Sequence, residues 1–250
     1  MGCSNGNEAQ NKKKIIEKVI CRIILDKKTL NGFLCNIPFP DSKNLLPVLI
    51  INDNILENSN ESSIQKINLT LYDDPNKIYS ITIEEKRKIY IDNKENNKMT
   101  IIEIKDKDGL DIESFLEIEE NVTYENKVIH LINQKDNKLE KIKCEKITIC
   151  GNKFDIEYKC DSKNEILYGS PIINLNDFKI IAFHKNKNQQ KYINSGTLIQ
   201  SLINNFIEFQ KNENRFLYTT NNITIILNLQ LPSQPSIGLT ISNEPLDGFH

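Results

Sequence analysis

The residues best suited to covalent chemistry lie in one stretch of the 250-residue chain, NEILYGSPIINLNDFKIIAFHKN. It offers the hydroxyl of Ser170 and the imidazole of His184, the two groups that hydrolysis by a serine needs as nucleophile and base. Ser170 precedes a proline and His184 ends an apolar run, so both positions are more typical of structural residues. A thiol–imidazole pair built on Cys160 is formally open, but no spacing favours it over a buried thiol. The remaining imidazoles, His130 and His250, lie outside any such motif.

Other kinds of chemistry have no signature in the sequence. None of the six cysteines forms a C-x-x-C pair, which disfavours a zinc site. No glycine-rich loop of the nucleotide-binding kind is present. We therefore expect no cofactor and no metal. The net charge of −2 leaves no excess of Lys and Arg to neutralise phosphates, so we also expect no nucleic-acid partner.

The elements that would position these residues are predicted to be strands. From Ile15 onward, short apolar runs alternate with Asn, Asp, Lys and Gly clusters, as in an all-β sandwich or a pair of barrels. One of the predicted strands covers residues 146–149. One helix is predicted over residues 197–210, because Leu198, Leu202 and Phe206 fall on one face. A further strand-like segment at 216–229 leads into a tail that contains prolines and glycines.

Three stretches together resemble trypsin-like serine peptidases of a protist type. The first, GFLCNIPFPDSKNLLPVLIINDNIL, ends like the L-P-V-L-I-T-N-N-H-V-L segment of their first barrel. The second, MTIIEIKDKDGLDIESFLEIE, resembles the stretch that follows, usually introduced by an aspartate in a D-I-T-I-I-E-I pattern. The third is the stretch around Gly169, which resembles G-S-S-G-S-P-I and the strand pair after it. The three occur in the family's order.

The resemblance implies an all-β, trypsin-like double β-barrel with a C-terminal helix and a C-terminal extension. Residues 1–14 are expected to form a disordered tail, 15–120 the first barrel, 121–210 the second barrel with the helix, and 211–250 the extension. In this family the active site lies between the barrels. The first barrel supplies the base and the acid that orients it, and the second supplies the nucleophile.

Matched residue by residue, the catalytic positions of the family have all changed. The base falls on Asn54, its acid on Lys98, and the nucleophilic serine on Tyr168. An amide is no base near neutral pH, a lysine reverses the charge that would stabilise an imidazolium, and a phenol has a pKa of about 10. The glycine that opens the oxyanion loop falls on Ile166, a β-branched residue ill suited to unusual backbone angles. Tyr168 is expected to lie near Asn54 and Lys98, as a plug of the old active site or as one wall of a peptide groove.

These changes predict a pseudoenzyme that binds a protein or peptide partner or serves as a structural module of a larger assembly. Two alternatives remain open. One is an active serine endopeptidase whose catalytic residues lie at positions other than the matched ones. The other is a purely structural component without a ligand. An imidazole within hydrogen-bond reach of a hydroxyl or thiol, facing an oxyanion nest, would favour the endopeptidase.

The N-terminus raises the question of a membrane. Gly2 is a position for myristate and Cys3 for palmitate, and Lys12–Lys14 would add attraction to anionic lipid. Gly6 stands where the usual pattern has Ser or Thr, so an unmodified, unstructured tail is the alternative. No apolar run reaches the roughly 20 residues of a membrane span. We expect a cytoplasmic protein with free thiols, held at the cytoplasmic face of a membrane if its N-terminus is acylated.

Overall fold

The computed structural model describes most of the chain between residue 14 and residue 227. The described ranges are 14–25, 28–53, 66–84, 86–94, 97–119, 128–135, 138–150, 154–160, 162, 165–188, 193–211, 216–220 and 223–227. Three positions singled out above, Gly2, Cys3 and Asn54, lie outside these residues, as do residues 1–13 of the tail expected over 1–14. Within the described part, no helix is long and apolar enough to cross a membrane.

The first half of the fold is a curved antiparallel sheet whose strands order as β5-β4-β1-β2-β3-β7-β6. Side chains along these strands alternate between core and solvent, as Lys66, Ile67 and Asn68 do at the start of β4. This alternation lets one face of the sheet build a core while the other stays polar. The strands are β1 (Ile20–Leu25), β2 (Lys28–Pro38), β3 (Leu45–Ile51), β4 (Lys66–Leu71), β5 (Tyr79–Thr82), β6 (Ile89–Lys94) and β7 (Asn97–Glu103).

The second half is a closed six-stranded barrel with the order β12-β9-β10-β11-β14-β13, in which β12 also pairs with β13. Closure leaves no unpaired edge in this half. Its interior is lined by one hydrophobic cluster that includes Ile156 and Tyr158. The strands are β9 (Ile129–Lys135), β10 (Lys138–Ile149), β11 (Asp155–Cys160), β12 (Pro171–Asn174), β13 (Lys179–Asn188) and β14 (Ile193–Leu198).

A three-residue strand, β8 (Leu116–Ile118), joins the two halves into one sheet. It pairs in parallel with β2 on one side and with β13 on the other. The core is also continuous, because the cluster that fills the first half includes Ile132, Ile173 and Phe183 from the second. Short 3-10 turns at Asp106–Asp108 and Ile112–Ser114 lead into β8.

A buried ion pair fixes the turn before β8. Arg87 is 1% exposed, and its two terminal nitrogens lie 2.7 and 2.9 Å from the two carboxylate oxygens of Asp108. Its other N–H groups donate to the carbonyls of Thr82, at 2.8 Å, and Glu103, at 2.6 Å. The two-pronged geometry satisfies both buried charges. It ties the loop between β5 and β6 to the turn that follows β7.

The C-terminal helix α2 (Ile199–Lys211) follows β14 directly and packs back onto the first half. Leu202 and Phe206 are buried on its inner face. The ring of Phe206 meets Phe39 of the first half edge-on, with centroids 5.3 Å apart, and Tyr90 at 6.4 Å. The helix therefore stabilises the pairing of the halves. The expected all-β architecture with a C-terminal helix is confirmed.

Several local predictions are wrong. The β-like region expected from Ile15 onward opens instead with a short helix, α1, over residues 14–19, in which Ile16 and Val19 are buried at a helical spacing of three. β10 covers Lys138–Ile149 and not 146–149, since charged outward residues mask its apolar alternation. The helix predicted over 197–210 begins two residues later, at Ile199, because Thr197 and Leu198 remain paired within β14. After α2, β15 (Phe216–Thr220) and β16 (Ile223–Leu227) form a separate hairpin.

Candidate functional site

Tyr168 links the two halves of the molecule. It lies in the loop before β12, and its hydroxyl accepts a hydrogen bond from the backbone of Lys98 in β7. Burial raises the pKa of Tyr168 to about 12, the bond from Lys98 opposes the rise, and the negative charges of Asp92 and Asp53 add to it. The phenol is therefore neutral at physiological pH and is a poor nucleophile.

Asn52 makes a second contact between the halves. It follows β3, and its side-chain amide donates to the carbonyl of Tyr168. The next residue, Gly169, has φ of 80°, and a Cβ atom there would overlap the Asn52 side chain. Glycine is required at 169 for both reasons, the left-handed backbone and the close approach.

The strands that carry these first-half residues are neighbours. Ile51 of β3 pairs with Thr100 of β7, and the Thr100 hydroxyl donates to the carbonyl of Asp53 at 2.6 Å. The end of β3 and the start of β7 therefore approach Tyr168 together. The structure brings Lys98 to Tyr168, and the described chain reaches Asp53, one residue before Asn54.

The loop before β12 is held to β9 by a buried asparagine, Asn133. Its amide nitrogen donates to the carbonyl of Glu165 at 3.0 Å, and its oxygen accepts from the backbone N–H of Leu167 at 3.1 Å. The Ser170 hydroxyl lies 2.8 Å from the Leu167 carbonyl and 3.4 Å from the same Asn133 oxygen. Ser170 thus acts as a structural residue of the loop, which the sequence also favoured.

Ile166, at the position expected to open an oxyanion loop, contacts the core of the second barrel. Its half-buried side chain packs against that barrel's hydrophobic cluster. An oxyanion hole needs backbone N–H groups turned toward the cleft. A β-branched side chain anchored in the core restricts the backbone angles available to this segment.

His184 is buried in β13 and satisfied by a tyrosine. Its Nδ1 lies 2.6 Å from the hydroxyl of Tyr158, and the residue is 3% exposed. Burial lowers the pKa of His184 to about 4 and raises the pKa of Tyr158 well above its usual value. Both groups are neutral near pH 7, and the tautomer of the imidazole decides whether the hydroxyl or Nδ1–H is the donor. The backbone of His184 also exchanges two 2.8 Å hydrogen bonds with Gly169 and Ser170.

The other candidates for chemistry are dispersed. His130 is half-buried in β9, and burial lowers its pKa, with the charges of Lys141 and Lys143 adding to the effect. His250 lies outside the described residues. Cys160 accepts a hydrogen bond from Asn194 at 3.3 Å. Across the described ranges, no group of three His, Cys, Asp or Glu side chains could hold a metal ion.

Sequence reasoning missed three polar residues that organise this region, namely Asn52, Asn133 and Tyr158. Asn52 stands within the segment that resembles L-P-V-L-I-T-N-N-H-V-L, so its position next to the cleft could have been read from the resemblance. Asn133 and Tyr158 sit on strands whose partners are distant in sequence. No local pattern marks them.

Similar solved structures are proteases. A serine-to-alanine mutant of Rv3671c from M. tuberculosis H37Rv, in its inactive form, aligns with a TM-score of 0.54 and 10% identity over 84% of this chain and 96% of that chain. The inactive form of the Rv3671c protease aligns with a TM-score of 0.52 and 9% identity, over 82% and 95%. A catalytically inactive tobacco etch virus protease complexed with substrate gives 0.48 and 13%, over 85% and 96%.

No protein-family model and no curated protein matches this sequence. At such low identity, the likeness to solved structures shows the fold alone. The chain has a chymotrypsin-like protease fold, and its closed second barrel and C-terminal helix agree with what the resemblance implied.

Proposed function

We propose that this chain is a catalytically inactive homologue of the trypsin-like serine peptidases of protist type, and that it binds a protein or peptide partner or serves as a structural module of an assembly. The observation that carries the proposal is the hydrogen bond between the Lys98 backbone and the Tyr168 hydroxyl. It joins the two positions where the family has its acid and its nucleophile. A neutral phenol occupies space that a substrate carbonyl would need.

Acyl transfer requires a base, an orienting acid, a nucleophile and an oxyanion hole. At the matched positions this chain has an amide, a lysine, a phenol and an isoleucine in their place. Removing triad members costs an enzyme on the order of 10⁴-fold or more in rate. Restoring His at 54, Asp at 98 and Ser at 168 would still leave Ile166 in the oxyanion loop.

The alternative of an active endopeptidase has less support. It needs an imidazole that is free to take a proton from a hydroxyl or thiol. His184 is buried, its Nδ1 is engaged by Tyr158, and its lowered pKa disfavours protonation. The Ser170 hydroxyl is used within its own loop. The reading as a structural component without a ligand stays compatible with a cleft plugged by Tyr168.

The cell compartment belongs to the same proposal. We place the protein in the cytoplasm, with peripheral attachment to a membrane through myristate on Gly2 and palmitate on Cys3. The support is the Met-Gly-Cys start and the three lysines that follow it. Gly2→Ala should release a membrane-bound pool into the soluble fraction. An unmodified N-terminus in mass spectrometry would contradict membrane attachment.

The binding role is tested with a random peptide library. Purified protein is incubated with the library, and both the retained and the free peptides are identified by mass spectrometry. Retained but intact peptides, lost in a Lys98→Glu variant and kept in a Lys143→Glu control, would support a surviving groove between the halves. Cleaved peptides would favour the endopeptidase, and no retention at all would favour the purely structural component.

A further inference from the structure

Two cysteines of the second barrel face each other across neighbouring strands. Cys144 of β10 stands directly opposite Cys160 of β11 in the antiparallel register. Neither is in a disulfide; Cys144 belongs to the hydrophobic cluster inside the barrel, and Cys160 packs against that cluster. Opposite residues of an antiparallel pair have Cα atoms about 4.5 to 5.5 Å apart. That separation lies within the range of roughly 4.4 to 6.8 Å that disulfides need.

The two sulfurs also interact electrostatically. Burial raises the pKa of Cys144 to about 12, and a negative charge on Cys160 raises it further. A negative charge on either thiol also raises the pKa of Tyr158, which lies on the same face of β11 as Cys160. The three groups therefore form one cluster inside the barrel.

The two thiols differ in access and in hydrogen bonding. Cys144 is buried, whereas Cys160 is half-buried at the end of its strand. The amide of Asn194 donates to the Cys160 sulfur at 3.3 Å. Asn194 is only 2% exposed, and its Oδ1 has no hydrogen-bond partner among the described residues. A buried amide held against one sulfur stabilises negative charge there, so Cys160 is the thiol that an oxidant would reach first.

We propose that Cys144 and Cys160 form a redox modification site, which closes into a reversible intramolecular disulfide when the protein meets hydrogen peroxide. In the first step the Cys160 thiolate attacks a peroxide oxygen. A sulfur–oxygen bond forms, the oxygen–oxygen bond breaks, and the leaving hydroxide takes up a proton to become water.

In the second step the sulfur of Cys144 attacks the sulfenic sulfur of Cys160. The disulfide bond forms, the sulfur–oxygen bond breaks, and the proton from Cys144 leaves with the hydroxyl as a second water. Two electrons thus pass from the two thiols to the peroxide. A dithiol reductant returns them by exchange through a mixed disulfide.

The other described cysteines lack this arrangement. Cys21 stands opposite Gly32 and Cys35 opposite Val48, and burial raises the pKa of both thiols far above the usual value. Cys150 is half-buried at the end of β10, and its backbone N–H donates to Asp155. It shares exposure with Cys160 but faces no thiol, so it serves as the matched control.

The test uses the full chain, reduced and folded, treated with hydrogen peroxide and then alkylated in denaturant. Peptide mapping should find one disulfide-linked pair containing Cys144 and Cys160, with the intact mass lowered by two hydrogen atoms and restored by dithiothreitol. Cys150→Ser should behave the same. Cys144→Ser should leave a sulfenic acid on Cys160 that dimedone traps.

Full alkylation of both peptides after oxidation would overturn the proposal, as would a disulfide that joins Cys160 to Cys150 or to a second molecule. The mapping on the wild-type chain decides the matter even if Cys144→Ser fails to fold. A melting curve of each variant shows whether it is folded before the dimedone result is used.

Discussion

The hydroxyl of Tyr168, in the second half of the fold, accepts a hydrogen bond from the backbone of Lys98 in the first half. On the other side of the same tyrosine, the carbonyl accepts from the Asn52 side chain. One residue of the second half is therefore bonded to β7 and to the residue that follows β3. Its removal should weaken the contact between the halves without disturbing the fold of either half.

Two substitutions at Tyr168 distinguish the contribution of its hydroxyl to stability from that of its ring. Tyr168→Phe should lower the free energy of unfolding by about 1 kcal/mol, the typical net worth of one hydrogen bond. Tyr168→Ala should cost roughly 2 kcal/mol more, because the half-buried ring is also lost. Urea denaturation measures both. Tyr79→Phe, on the edge strand β5, is the control and should change stability by less than about 0.5 kcal/mol.

Gly169 should tolerate no side chain. Gly169→Ala combines a left-handed backbone with an overlap on Asn52, and should cost about 3 kcal/mol or more in stability. Gly109→Ala is a matched control, because Gly109 has a φ of 73° and nothing within 4 Å of the added atom. It should cost only about 1 to 2 kcal/mol. Equal losses for the two variants would contradict the close packing of Gly169 on Asn52.

His184 should make stability depend on pH in acid. In the unfolded chain its pKa is near 6.5, and in the folded chain it is about 4. As pH falls from 6.5 to 4 the unfolded chain binds the proton first, so stability is full above pH 6.5 and is lost progressively toward pH 4. The loss should be on the order of 3 kcal/mol.

His184→Gln should flatten that part of the stability curve relative to wild type. Denaturant titrations at a series of pH values between 4 and 7 provide the measurement. Tyr158→Phe keeps the imidazole buried while it removes the hydroxyl that is its hydrogen-bond partner, so it should lower stability by about 1 kcal/mol at pH 7. A curve for His184→Gln that parallels wild type would show that another group carries the acid dependence.

Replacing only one member of the buried ion pair of Arg87 and Asp108 should lower the free energy of unfolding strongly. Asp108→Asn or Arg87→Met leaves the other charge buried without its partner, with an expected loss of about 3 to 5 kcal/mol. The double variant should lose less than the sum of the two. The exposed pair of Lys143 and Glu145 is the control, and removing it should cost about 1 kcal/mol at most. Thermal and urea unfolding give the values.

The architecture was accessible from the sequence because its signals are local. Period-2 alternation marks β4 and β11, and the helix after β14 shows its apolar face at Leu202 and Phe206. Strand β10 was largely missed, since its outward positions alternate Lys and Glu around only two buried residues, Ile142 and Cys144. Helix α1 was missed because isoleucine-rich segments favour strands by propensity, which tertiary packing overrides here.

The candidate site was accessible only in part, and through the resemblance. The match brought Lys98 and Tyr168 to attention, and the structure places them in hydrogen-bond contact. The residues that hold the loop, Asn133 and Asn52, act across 34 and 116 positions of sequence. Contacts of that range depend on the packing of the two halves, which no local pattern encodes.

The central claim is that a protease fold has lost its chemistry, and covalent labelling tests it most directly. The folded protein is treated with a fluorophosphonate probe, beside an active trypsin-like protease as positive control, and every serine peptide is examined by mass spectrometry. We expect no labelled serine, with Ser170 unmodified, because its hydroxyl is bonded to the Leu167 carbonyl. A probe adduct on Ser170, or on another serine, that disappears on unfolding would contradict the account.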